Sequence, residues 1–170
     1  MDANYKIISA DSHVMEPPDM WQSRVPANLR NQMPRVVRTD EKDEWWVDDI
    51  FVIDVTGPFI QAAARNAVYE GKQFGKLDIK DWEEKTVGGR WEDVMPGAYD
   101  PKEFIKDQDL DGVYAAVVYP GLFLLLYSWP NSPALNASFK AYNEWLSEFC
   151  SYSPDRIVGV GLILLDDVED

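Results

Sequence analysis

An α/β fold built on a parallel sheet is the architecture this sequence predicts. Beyond residue 99 a helical pattern, an apolar run, a longer amphipathic pattern and a second apolar run follow in order, and such alternation belongs to βαβ crossovers. The last run, IVGVGLILL at 157–165, is apolar at every position except its glycines, the pattern of a strand covered on both faces of a parallel sheet. A further strand, YKIISA at 5–10, is expected ahead of the helices.

The first strand leads straight into Asp11, Ser12, His13 and Val14, and Pro17-Pro18 then forces a loop, because two prolines remove two donors and fix φ. Asp19 stands where it can cap a short helix through Trp21 and Arg24 that closes by Pro26, and 27–33 reads as another helical turn. From Arg35 the texture turns to β. Runs at 35–38, 45–47 and 50–55, separated by the polar loop 39–44 and the turn Asp48-Asp49, predict an antiparallel meander. Residues 59–68 have helical composition, and 71–99 carry five glycines with no sustained period, the mark of a long irregular segment of the kind that forms lids and binding loops. The whole of 35–99 therefore reads as a variable insertion with a long loop, set before the βα units of 100–170.

Asp100, Pro101 and Glu103 spell an N-cap, a proline at the first helical position and a Glu three residues past the cap. The helix they start is expected to run to Asp111 and stop at Gly112, with a buried strand at 113–119 that breaks at Pro120-Gly121. Ser132-Pro133 starts a longer helix in which Leu135, Phe139, Tyr142, Leu146 and Phe149 recur at spacings of three and four, ending by Pro154.

Composition narrows the function. The chain has 170 residues, 46% hydrophobic, with seven Trp, eight Tyr and seven Phe, enough apolar material for a core. Its net charge of −14 argues against nucleic acid or an anionic membrane as partner, since phosphates attract clustered Lys and Arg. No apolar run approaches the roughly 20 residues that span a bilayer, and the first residues lack a basic stretch followed by an apolar one, so no secretory signal is read. A single cysteine, Cys150, excludes an internal disulfide and fits a reducing cytoplasm. The length suits one domain, whereas an eight-stranded β/α barrel needs about 250 residues.

The residues that carry chemistry cluster at the end of the first strand. Positions i and i+2 of an extended segment share a face, so Asp11 and the chain's one histidine, His13, project side by side. Together they offer a hard oxygen and a borderline nitrogen, donors that suit a divalent ion; equally, Asp-Ser-His is common in loops where Asp caps a turn. Glu16 lies three residues on, placed to ligate, to orient the histidine, or to bond backbone amides around the prolines. Trp21, Trp45, Trp46, Trp82, Trp91 and Trp129 suit an aromatic pocket or a core, and Arg24, Arg65 and Arg90 a substrate carboxylate or surface pairing. The charge runs 40–44 and 166–170 read as solvated loop and terminus, and Cys150 as a packed side chain. No phosphate-binding loop, dinucleotide fingerprint or nucleophile elbow is present.

The stretch Ile8-Ser9-Ala10-Asp11-Ser12-His13-Val14-Met15-Glu16-Pro17-Pro18-Asp19-Met20-Trp21 resembles the opening of the amidohydrolase-2 family, which includes aminocarboxymuconate-semialdehyde decarboxylase and resorcylate decarboxylases. Asp109-Leu110-Asp111-Gly112-Val113, Ala141-Tyr142-Asn143-Glu144-Trp145-Leu146 and Pro154-Asp155-Arg156-Ile157-Val158-Gly159-Val160 add to the likeness. The resemblance implies a distorted (β/α)8 TIM barrel of which this chain is the N-terminal part, with the meander as a small antiparallel β insertion. It implies one divalent metal, zinc first and manganese second, at the C-terminal ends of the strands, ligated by Asp11 and His13. Read from their own chemistry and placement, Glu16, Trp21 and Arg24 are the candidates for supporting or substrate-loop residues. The family's other ligands and its acid/base group, histidines of middle strands and an aspartate of the last, have no counterpart here.

The expected activity is hydrolysis or nonoxidative decarboxylation of a small aromatic or unsaturated carboxylic acid. It needs a C-terminal fragment of the same barrel, with homo-oligomer assembly when complete, and the chain alone is expected to be inactive. The competing expectation is a noncatalytic α/β binding or assembly module that has lost the metal site.

Overall fold

The computed structural model describes residues 5–55 and 89–164. In chain order these form β1 (Ile7–His13), α1 (Met20–Arg24), a 3-10 turn (Arg30–Gln32), β2 (Pro34–Arg38), β3 (Asp43–Val47) and β4 (Ile50–Asp54). Two more 3-10 turns (Trp91–Asp93, Pro96–Ala98) precede α2 (Pro101–Asp111), β5 (Val113–Tyr119), α3 (Phe123–Leu126), α4 (Pro133–Ser151) and β6 (Ile157–Gly159). The helical segment expected at 59–68 and most of the glycine-rich stretch, with Arg65 and Trp82, lie outside the described residues.

The strands divide into two sheets. β1, β5 and β6 make a parallel sheet in that order, with β5 in the centre. β2, β3 and β4 make an antiparallel meander, turned between β3 and β4 at Asp48, whose φ of +54° lies in the left-handed region that Asp tolerates. Along β3 alternate residues Asp43, Trp45 and Val47 are buried, the period-2 pattern of a half-covered strand. Trp45 meets Trp21 edge to face with ring centres 5.6 Å apart, joining the meander to the main core.

The helices follow their sequence signals. Asp100 accepts hydrogen bonds from the Lys102 and Glu103 amides at 2.8 and 3.2 Å, which satisfies two of the free donors at the start of α2. Gly112 ends the helix at φ +70°, a conformation glycine adopts without steric cost. Leu135, Phe139, Tyr142, Leu146 and Phe149 of α4 are all buried, each such side chain contributing about 1.5–3 kcal/mol of transfer free energy. α4 packs on the sheet so closely at Gly159 that an added Cβ would lie 2.7 Å from Leu146 and 2.8 Å from the Cys150 sulfur. Cys150 is thus a packed side chain, its thiol pushed up by burial. Among the described residues no helix is long and apolar enough to cross a membrane.

Three expectations need correction, and one element is new. Within the described part of the run, residues 157–164, only the short edge strand β6 forms, and Val158 and Ile163 are 53% and 66% exposed; among the described residues the second face is not fully covered, so an all-apolar run does not mean two covered faces. Asp19 makes no capping bond, because its own backbone is helical, at φ −89° and ψ −6°, where a capping residue is extended. The charge run 40–44 is not simply solvated, since Asp43 is buried at 1% exposure. Helix α3 was not anticipated: four residues are too few to show a period.

Candidate metal centre

β1 delivers Asp11 and His13 to the C-terminal end of the parallel sheet. Its register against β5 runs Ser9 to Ala116 and Ser12 to Val118, so three steps on β1 match two on β5. This is the one-residue excess of a β-bulge, a device that re-aims side chains at strand ends. The Ser9 and Ser12 hydroxyls bond across it at 2.8 Å, and His13 resumes pairing beside Tyr119. The Asp11 and His13 side chains converge, with Asp11 Oδ1 3.2 Å from His13 Nε2, and they remain 78% and 31% exposed.

The second ring nitrogen sets the chemistry of the first. His13 Nδ1 is 2.8 Å from the Pro120 carbonyl oxygen, which can only accept, so Nδ1 carries the hydrogen. In the neutral ring Nε2 then presents a lone pair to a carboxylate oxygen, and two acceptors at that separation need positive charge between or beside them. A proton supplies it, and so does a cation. Two ligands about 2.0–2.1 Å from a tetrahedral centre stand roughly 3.3 Å apart, so the donor pair fits a divalent ion in both chemistry and spacing. Metal-binding histidines commonly donate their other N–H to a carbonyl in this way. Among the described residues no group of three or more His, Cys, Asp or Glu is placed to hold a metal, so the pair offers two donors.

Glu16 is fully buried and touches the pair indirectly. Its Oε1 and Oε2 accept from the Gly121 and Leu122 amides, each at 2.9 Å. Burial pushes its carboxyl up to about 6, opposed by those amides. Of the placements open to Glu16, bonding amides around Pro17-Pro18 is not the one adopted: its partners lie across the sheet, at the turn after β5. The break at Pro120-Gly121 is legible in the sequence, but its meeting with His13 and Glu16 has no local signal, since more than a hundred residues separate them.

The other named residues stand elsewhere. Trp21 is fully buried against Trp45 and Phe123, in the core and not on a substrate loop; an indole this large gains more from burial than from solvent. Arg24 pairs with Glu148 at 2.5 Å and lines an open groove of about 690 Å³ with Pro26, Asn131, Ser132 and Lys140, a groove that includes neither Asp11 nor His13. Arg90 belongs to a separate cluster with Arg38 around Asp43.

No family model matches the sequence, and no curated protein does. Among solved structures, the chain is similar to an amidohydrolase from Mycobacterium avium subsp. paratuberculosis K-10, with a TM-score of 0.65 at 18% identity. The similarity covers 96% of this chain and 43% of that one, so the chain spans less than half the length of the amidohydrolase it matches. At this identity the likeness shows the fold: an α/β arrangement on a parallel sheet, shared with part of an amidohydrolase.

Proposed function

We propose that this chain is part of a metal-dependent enzyme of the amidohydrolase type, with Asp11 and His13 as two ligands of one divalent cation. The observation that carries the reading is the 3.2 Å approach of Asp11 Oδ1 to His13 Nε2, with the opposite ring nitrogen already committed to Pro120. The fold likeness to an amidohydrolase supports it. Zinc is the first choice because a carboxylate and an imidazole are donors it accepts at this spacing; manganese is the second. Three protein ligands are usual in a catalytic zinc site, and the described residues offer two, so the remaining ligands and the acid/base group are assigned outside the described residues, with the C-terminal part of the same barrel as the proposed source. Val158 of β6 and Ile163 just beyond that strand are exposed and offer an apolar edge for such a partner to cover.

The chain's own residues have definite parts in this proposal. Asp11 supplies an open carboxylate, and its exposure leaves room for substrate beside it. His13 is held by the Pro120 carbonyl so that Nε2 faces the same space. When bound, the cation supplies Lewis acidity, for hydrolysis or for holding a substrate carboxylate while carbon dioxide is lost. A small aromatic or unsaturated carboxylic acid is the substrate class proposed.

A second reading is a noncatalytic α/β module, favoured by the lack of a third donor among the described residues. Elemental analysis after dialysis against zinc separates the two. For the protein that includes the rest of the barrel, the enzyme reading expects near-stoichiometric zinc in the wild type, lost in His13→Ala; equal metal content in both proteins would overturn it.

A further inference from the structure

Glu16 is a carboxylate with no exposed surface, and burying such a group is costly unless its oxygens are engaged. They are engaged at one turn. The amide of Gly121 that donates to Glu16 Oε1 belongs to the same planar peptide as the carbonyl of Pro120. That carbonyl accepts from His13 Nδ1 at 2.8 Å. One rigid peptide unit therefore joins the carboxylate to the imidazole, carboxylate oxygen to N–H at one end and carbonyl to ring N–H at the other. Hydrogen bonds in such a chain polarise one another, so the charge on Glu16 strengthens Pro120 as an acceptor.

The unit has little freedom. The Leu122 amide holds the second carboxylate oxygen at 2.9 Å, and the Val14 amide donates to the Tyr119 carbonyl at 3.1 Å on the other side. Gly121 is also the position where an added Cβ would come within 2.3 Å of the Val14 carbonyl oxygen, so only glycine lets the two segments close this tightly.

We propose that Glu16 is a positioning residue for His13, acting through the Pro120–Gly121 peptide to hold the hydrogen on Nδ1 and leave Nε2 free beside Asp11. This rests on reading Asp11 and His13 as cation donors, and it extends that reading by a residue that touches neither the cation nor the substrate. A carboxylate that polarises a ligating imidazole typically changes metal affinity by about 10–100-fold.

The test uses long-range proton–nitrogen spectra of the metal-free full chain at neutral or higher pH, with the His13 ring assigned as the signal lost in His13→Gln. The expected result is an Nδ1–H ring in the wild type and a mixture with the Nε2–H tautomer in Glu16→Gln. Zinc titration with the rest of the barrel present should then show about tenfold weaker binding in the variant. Should Glu16→Gln not fold, Glu16→Asp shifts the oxygens by one methylene and is read the same way. An Nε2–H ring in the wild type overturns the proposal, as does a folded variant whose ring signals and zinc affinity are unchanged. If the ring responds while zinc does not bind even the wild type, the cation reading fails and the link between Glu16 and His13 stands.

Discussion

Asp43 and Asp11 are both strand aspartates beside nitrogen donors, yet their surroundings are opposite. Asp43 is buried at the start of β3 and fully engaged: Arg38 grips both oxygens at 3.0 Å, Arg90 reaches Oδ1 at 3.1 Å, and the Trp91 amide donates to Oδ2 at 2.9 Å. Its own carbonyl and amide tie Val55 and Gly89, so it fastens the meander to the chain that resumes at residue 89. Arg38 above all holds its carboxyl well below the usual carboxylate range. Asp11 is exposed, with one described ion-pair contact, the His13 ring. A carboxylate surrounded by fixed donors has no capacity left for a ligand and serves the fold, whereas one left with open lone pairs beside a pre-set imidazole can take a cation.

That contrast is open to attack at several points. The largest effect is expected from Asp43→Ala. It removes the buried acceptor shared by Arg38, Arg90 and the Trp91 amide and should lower unfolding free energy by roughly 3 kcal/mol, read by urea denaturation, while zinc affinity of the folded protein stays at the wild-type level. A stable Asp43→Ala protein would remove the structural half of the comparison.

The pH dependence of stability comes next in size. Glu16 is raised from 4.5 to about 6 on folding, so the folded state holds its proton more tightly than the unfolded one. Its share of stability is full below about pH 4.5 and is lost as pH rises to about 6, on the order of 2 kcal/mol. Asp43 has the opposite sign: its carboxyl is lowered, so its share is present above about pH 4 and is lost on further acidification. Urea midpoints from pH 3 to 7 should therefore show two opposed slopes, and Glu16→Gln should abolish only the upper one.

The smallest stability change belongs to Asp11→Asn. An exposed side chain outside the core should shift unfolding free energy by no more than about 0.5 kcal/mol. Zinc titration of the same variant should nonetheless show at least the tenfold weakening typical of changes around a metal site. A large stability loss with unchanged zinc binding would reverse the roles given to the two aspartates.

What the sequence made legible was local. The Asp100 cap, the Gly112 stop and the apolar spacing of α4 each lie within a few residues and correspond to the structure. The pairing of Asp11 with His13 was readable for the same reason, because two positions on an extended strand share a face. Asp43 was not: among the charges of 40–44 nothing marks the one that Arg38 and Arg90 enclose. Glu16 was visible as a candidate but its role was not, since its amides arrive from the far end of β5. The exposure of Val158 depended on how many layers cover the sheet, a property of tertiary arrangement that an apolar run does not encode.

Residues 13–16 and 119–122 grip each other through three successive peptide groups, although the polar contacts bridge separations of 105 to 107 positions. Contacts so distant in sequence require a long stretch of chain to be closed before they form. A short peptide bearing the same aspartate and histidine would possess the donors without the preference for hydrogen on Nδ1. The selectivity of the imidazole is thus acquired when β1 docks on β5, and reactivity here is a by-product of completed tertiary assembly.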